Sequence, residues 1–335
     1  MKKRKGFWHI GTFQLPHVLE SENPLEEVWS WIARYGTKDY IKNHLHSENP
    51  DIDWEEHVNY GIVRAKQAVE FRKSAKSGTL LTKPLTLYYS FLNLTRAFLA
   101  LGPEMMPTSL HGLKFIAGDD LLSSGAQLVK GTFTDYLSSF GINWQKNTKV
   151  SLRDALSRII EIQQDFVSLR ISESYVFPVK LQVATGGPIY IDPLSPHETF
   201  PQKWETEFPS LTKKCKLDED GKGFLIDDKA ICESHESISN YLHKILLHDL
   251  IYSHMSSPWY LIREVDNCPS LSRASYYFIS VFILGSIVRY EPELMLEVSQ
   301  LDSEIGWFID RFLTKAERFF PQLKIGEQCK TTIYF

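Results

Sequence analysis

The sequence predicts a mainly α-helical fold of the α+β class, with a helical core built from the N- and C-terminal parts and a β-containing segment inserted in the middle. Three observations predict it. Helix-length periodic runs fill the chain before residue 111 and again after 235. Between them Gly, Pro, Asp and Ser become frequent and the apolar residues fall into short alternating runs. Finally, Leu85-Thr-Leu-Tyr-Tyr-Ser-Phe-Leu-Asn-Leu-Thr-Arg96 and Tyr276-Tyr-Phe-Ile-Ser-Val-Phe-Ile-Leu-Gly-Ser-Ile-Val-Arg289 are two apolar helical runs that each end in arginine. The expected division is 1–111 and 235–335 for the two helical parts of the core, and 112–234 for the insertion, which carries one helix.

Each element has its own signal. Trp29, Ile32 and Ala33 give residues 24–36 an apolar face, and Lys38–Leu45 forms a second short helix. Asp53 is an N-cap with Glu56 three residues on, and Gly78 closes the long helix that follows. Pro84 stands in the first turn of the next helix, which Gly102-Pro103 stops. In the middle segment, strands are expected at Gln127–Phe133, Tyr175–Ala184, Ile189–Ile191, Lys213–Leu217 and Phe224–Ile226, with a helix over Ser151–Leu169. Gly186-Gly187-Pro188 and the run from Asp218 to Gly223 have turn chemistry. Further helices are expected at Ile238–Met255, Ser272–Tyr290 and Ser303–Phe320, and the apolar tail Thr331–Phe335 offers a strand. Tyr88, Tyr89, Phe91, Leu92, Tyr277, Phe278, Phe282 and Ile283 are the expected core.

Composition excludes several classes. A formal charge of −4 and a pI near 6.3 argue against a broad nucleic-acid-coating surface, though not against a local basic pocket. Cys215, Cys232, Cys268 and Cys329 form no CxxC pair and are too sparse for a secreted disulfide framework, so reduced thiols in the cytoplasm are expected. The basic start Met1–Gly6 has no apolar run after it, and the most apolar stretch, Tyr276–Val288, falls short of the roughly 18–20 residues that span a bilayer. No membrane association is expected.

Chemistry concentrates at three residues. On a 3.6-residue helix Leu85, Tyr89, Leu92 and Arg96 share a stripe, as do Phe278, Phe282, Gly285 and Arg289. A guanidinium ending a buried stripe needs a partner. Pairing with an acid such as Glu291 or Asp249, or snorkelling to the surface, is one reading. An anion site for phosphate, a nucleotide or RNA is the other, because the planar fork binds two oxygens at once. His111, before Gly112, is a loop histidine or a general acid or base near Arg96. His243, His248 and His254 lie on one expected helix, with 248 about 140° off the face of the other two, so no metal site or other cofactor is expected. The chain has no GxSxG, HExxH, phosphate-loop or kinase motif.

Pro84-Leu-Thr-Leu-Tyr-Tyr-Ser-Phe-Leu-Asn-Leu-Thr-Arg-Ala97, His111-Gly112-Leu113 and Gly285-Ser-Ile-Val-Arg-Tyr-Glu-Pro292 resemble the YaaC-like family of bacterial proteins. That resemblance carries no settled activity. The first of these helices also resembles the opening Tyr-Tyr helix of HEPN-type domains, many of them ribonucleases of toxin–antitoxin and phage-defence systems. Their signature is an arginine, four to six residues, then a histidine on one helix. Here fourteen residues, with Gly102, Pro103 and Pro107 among them, separate Arg96 from His111, and no histidine follows Arg289.

Three functions are therefore expected in outline. The first is a ligand- or partner-binding protein without a complete catalytic set, in a bacterial defence or nucleic-acid-linked setting. The second is a divergent metal-independent ribonuclease that uses Arg96, His111 and Arg289 as catalytic residues. The third is a subunit of a protein assembly or homo-oligomer, with Trp8, Trp29 and Trp31 as exposed contacts.

Overall fold

The computed structural model describes residues 7–9, 17–18, 20–45, 53–102, 106–171, 175–184, 188–193, 208–209, 215–217, 223–226, 246–248, 259–263, 271–300, 303–329 and 333–334. In chain order the first elements are β1 (Phe7–His9), β2 (His17–Val18), α1 (Pro24–Arg34), α2 (Lys38–His44), α3 (Trp54–Lys76) and α4 (Lys83–Leu101). Next come β3 (His111–Ile116), β4 (Gly125–Gly131), α5 (Thr132–Ser139), β5 (Lys149–Ser151), α6 (Leu152–Leu156), a 3-10 turn at Ile160–Ile162 and α7 (Gln163–Ser168). The strands β6 (Val176–Ala184), β7 (Ile189–Pro193), β8 (Lys216–Leu217), β9 (Phe224–Ile226), β10 (Leu246–His248) and β11 (Trp259–Ile262) follow. The chain closes with α8 (Arg273–Tyr290), α9 (Pro292–Val298), α10 (Glu304–Cys329) and β12 (Ile333–Tyr334). The fold is mainly α with antiparallel sheet, as the sequence predicts.

The chain forms two compact units. The helical unit is Leu19–Glu173 with Val265–Lys330, and the sheet unit is Met1–Val18, Ser174–Glu264 and Thr331–Phe335. Residues 112–173 thus join the helices, where the expected insertion began at 112.

In the helical unit the Asp53 cap acts as read: its carboxylate accepts from the Glu56 N–H at 3.1 Å. At the start of α8 the Ser272 hydroxyl likewise accepts from the Ser275 N–H. α3 and α4 form an antiparallel hairpin, whose register is marked by His57 against Ala100, Arg64 against Asn93 and Ser90 against Ala68. α8 is buried from Arg273 to Ile287 and crosses α4 closely at Gly285, where an added Cβ would lie 3.3 Å from Leu85 Cα and Pro84 O. α10 covers both helices, with Phe320 stacked 3.9 Å from Phe91 and Phe312 on Tyr277. The expected core residues are buried except Tyr89, which is half-buried. Ion pairs centred on buried arginines tie the helices together. Arg72 joins Glu317 at 2.7 Å and Glu26 at 2.6 Å, and Arg273 joins Glu161, which also accepts from the Tyr277 hydroxyl.

In the sheet unit β10-β11-β6-β7-β9-β8 form an antiparallel sheet, with β1 paired to the second half of β6. One face is apolar by strict alternation: Val179 and Leu181, Ile189 and Ile191, Phe224 and Ile226, and Trp259 and Leu261 are all buried. β12 pairs with β2, so the tail does contribute a strand.

Four local expectations are corrected. The helix expected over Ser151–Leu169 breaks into α6, the 3-10 turn and α7. The Gln163 amide donates to the carbonyls of Ser157 and Ile159, and Glu161 is turned toward Arg273 and Tyr277. Leu246–His248 of the helix expected over Ile238–Met255 is strand, paired with Trp259–Leu261; residues 238–245 and 249–255 lie outside the described residues. α10 runs past Phe320, through Pro321, to Cys329, because Phe319, Phe320, Pro321 and Ile325 are all held in the core. Trp29 is not an exposed contact: it is 3% exposed, and its indole N–H donates to the Glu317 carbonyl. Trp31 is half-buried, with its indole N–H on Glu27, and the side chain of Trp8 lies outside the described residues.

Candidate functional site

Arg96 ends the buried stripe of α4 and is 7% exposed. Its Nε–H donates to the Thr132 hydroxyl at 3.0 Å, and an Nη2–H donates to the Ser109 carbonyl at 2.6 Å. The Thr132 hydroxyl in turn faces the carbonyls of Thr108 and Leu110, so this web pins the segment 108–110 to α4 and α5. Both partners of Arg96 are neutral. Asp135 accepts from Thr108 and does not ion-pair with Arg96. The expected pairing with Glu291 is not formed, and Asp249 lies outside the described residues.

The pinned segment delivers His111, which is the first residue of β3 and not a loop residue. A register shift follows it, and Gly112 takes φ +89°, a backbone state that favours glycine. Gly131, opposite, leaves no room either, since a Cβ there would lie 2.2 Å from the Gly112 nitrogen. The kink presents His111 to α4, where its Nδ1 lies 2.6 Å from the Tyr88 hydroxyl and its ring meets Tyr89 edge-on. Tyr88 is wedged against Phe278 and Phe282 of α8.

Arg289, one turn beyond Gly285 on α8, is exposed and lies over the Tyr290 ring. Burial holds the His111 imidazole below its ordinary pKa, and the charges of Arg96 and Arg289 lower it further. Arg96 and Arg289 are thus each within electrostatic reach of His111. The Arg96 pKa is itself lowered by burial and by a third arginine, Arg64 of α3. Sequence reasoning missed Arg64, because α3 is charged along its length and only the hairpin register singles this position out.

The result is three guanidiniums and a neutral-leaning imidazole, contributed by α3, α4, α8 and β3, beside Tyr60, Tyr88 and Tyr89. None of the three arginines ion-pairs with a described carboxylate. Among the described residues no group of three or more His, Cys, Asp or Glu is placed to hold a metal ion, and no helix is long and apolar enough to cross a membrane. Arg96 and His111 stand on different elements, a helix and a strand, so the HEPN pattern of both on one helix is not reproduced.

In the helical unit a Tyr-Tyr…Arg helix thus crosses a second arginine-ended helix, with a His-Gly strand beside them. The chain belongs to the YaaC-like family, whose model, described as YaaC-like Protein, matches residues 29–327. No curated protein and no solved structure matches the chain.

Proposed function

We propose that this YaaC-like protein binds a phosphate-bearing ligand at Arg96, His111 and Arg289. One observation carries the reading: the buried Arg96 guanidinium is oriented by a hydroxyl and a carbonyl, neither of which offsets its charge. An uncompensated buried cation is costly, and a protein keeps one where an anion repays it. Arg289, exposed at the end of α8 and acting on the same imidazole, supplies a second guanidinium. The Arg96 Nη1 group makes no bond to a described residue, which leaves donors for a ligand oxygen. The sparse cysteines support a cytoplasmic setting.

Calorimetric titration of the purified protein with inorganic phosphate at fixed ionic strength tests this. Binding is expected, weakened about tenfold or more by Arg289→Ala, since a charge-assisted bond contributes about 1.5–3 kcal/mol. Heats absent in the wild type, or unchanged in the variant, would refute the reading.

A second reading is RNA cleavage. What favours it is the lowered pKa of His111, which keeps the imidazole free to accept a 2′-hydroxyl proton, while the arginines would stabilise the phosphorane. Cleavage of a single-stranded RNA that survives both His111→Ala and Arg96→Ala would exclude these residues as its source.

A further inference from the structure

The hairpin register brings Arg64 into the same site. Arg64 lies against Asn93, and Arg96 follows Asn93 by three residues on the same face of α4, about 5 Å along the helix axis. Arg64 is held by neutral acceptors only. Its Nη1 donates to Gln67 Oε1 at 2.8 Å and to Asn93 Oδ1 at 3.2 Å, and its guanidinium lies over the Tyr60 ring at 4.8 Å. Asn93 is itself built for this. Its Nδ2 donates to the Tyr89 carbonyl at 2.8 Å, which turns Oδ1 toward Arg64, and the residue is 4% exposed. The Arg64 Nε and Nη2 groups make no bond to a described residue.

The charge count then decides the ligand class. Arg64 acts on Arg96, Arg96 and Arg289 both act on His111, none of the three arginines ion-pairs with a described carboxylate, and His111 leans neutral. A single phosphate monoester carries only about −1.5 to −2 at pH 7. It leaves one arginine unanswered. A phosphodiester carries less per phosphate and spreads it further apart. A chain of directly linked phosphates concentrates enough negative charge to engage all three forks.

We propose that the ligand is a contiguous polyphosphate chain, of the kind found in a nucleoside di- or triphosphate or in inorganic polyphosphate, and that Arg64 selects it over a single phosphate. The proposal rests on the phosphate-site reading above and adds Arg64 and the length of the chain to it.

The test is competition calorimetry on the full chain in metal-free buffer at fixed ionic strength. The probes are orthophosphate, tripolyphosphate, ATP and a 5′-hydroxyl oligoribonucleotide. Tripolyphosphate is expected to bind about tenfold or more tighter than orthophosphate. Arg64→Ala is expected to shrink that ratio to about threefold or less, and Arg64→Lys to restore part of it. Circular dichroism of both variants establishes that they fold, as the half-buried Arg64 allows. ATP tighter than tripolyphosphate supports the proposal and assigns the chain to a nucleotide; equal affinity supports it and assigns the chain to inorganic polyphosphate. Equal affinity for ortho- and tripolyphosphate, or a ratio that Arg64→Ala leaves unchanged, overturns the proposal while leaving the phosphate site standing. An oligoribonucleotide that outcompetes tripolyphosphate also overturns it. No binding by any probe removes both readings.

Discussion

The Tyr88 hydroxyl lies 2.6 Å from His111 Nδ1, and Tyr88 packs on Phe278 and Phe282. One side chain thus couples the α4 stripe, the α8 stripe and the β3 histidine. Burial raises the Tyr88 pKa, so the phenol keeps its proton, and His111 is held toward its neutral form. The first consequence is electrostatic. Arg289→Ala removes one of the charges that depress His111, so its pKa should rise toward 6.5, the ordinary histidine value. Histidine-resolved NMR titration measures this. A histidine lowered in the folded state contributes stability that is present above about pH 6.5 and is lost as pH falls through its depressed folded value.

A second expectation concerns the clamp on residues 108–110. Thr132→Val removes the acceptor of the Arg96 Nε–H and the donor to the loop carbonyls. Leaving such groups buried without partners costs about 1–3 kcal/mol. Urea denaturation gives the loss in stability, and faster amide exchange at Thr132, whose N–H bonds to the Leu110 carbonyl, localises it.

Much of this frame was legible in the sequence. The Asp53 cap, the Gly102 stop and the two arginine-ended stripes each rest on local chemistry. What was not legible depends on distant partners. The break inside 151–169 follows from Glu161 reaching Arg273 and Tyr277 and from Gln163 bonding the carbonyls behind it, none of which periodicity encodes. Leu246–His248 is a short apolar run that suits helix or strand equally, and pairing with Trp259–Leu261 decides it. Of the candidate site, Arg96, His111 and Arg289 could be named from two stripes and one neighbouring motif. Arg64 could not, because its role depends on the register of α3 against α4.

The crossing of α4 and α8 gives a third expectation. A Cβ alone at position 285 would already lie 3.3 Å from atoms of Leu85, Pro84 and Tyr88, and Gly285→Val adds two methyl groups beyond it. Overpacking of this kind costs about 1–3 kcal/mol, which thermal or urea unfolding detects.

The Arg72 network gives a fourth. Arg72→Ala leaves Glu317, 9% exposed at its side chain, without its cation. Breaking a buried pair from one side costs about 3–5 kcal/mol. Bonding to Arg72 holds the Glu26 carboxyl down at about 2. Its contribution is therefore present above the ordinary value of 4.5 and lost as pH falls through about 2. An acid-unfolding profile of wild type and Glu26→Gln measures it, and the variant should lose this segment of the pH dependence.

The central claim is that an anion completes the arginine cluster. Its most direct test is the His111 pKa, measured by NMR in saturating inorganic phosphate and in chloride of matched ionic strength. The account predicts a higher pKa in phosphate, because the bound anion offsets the charges of Arg96 and Arg289 that depress it. A His111 pKa identical in the two buffers would contradict it.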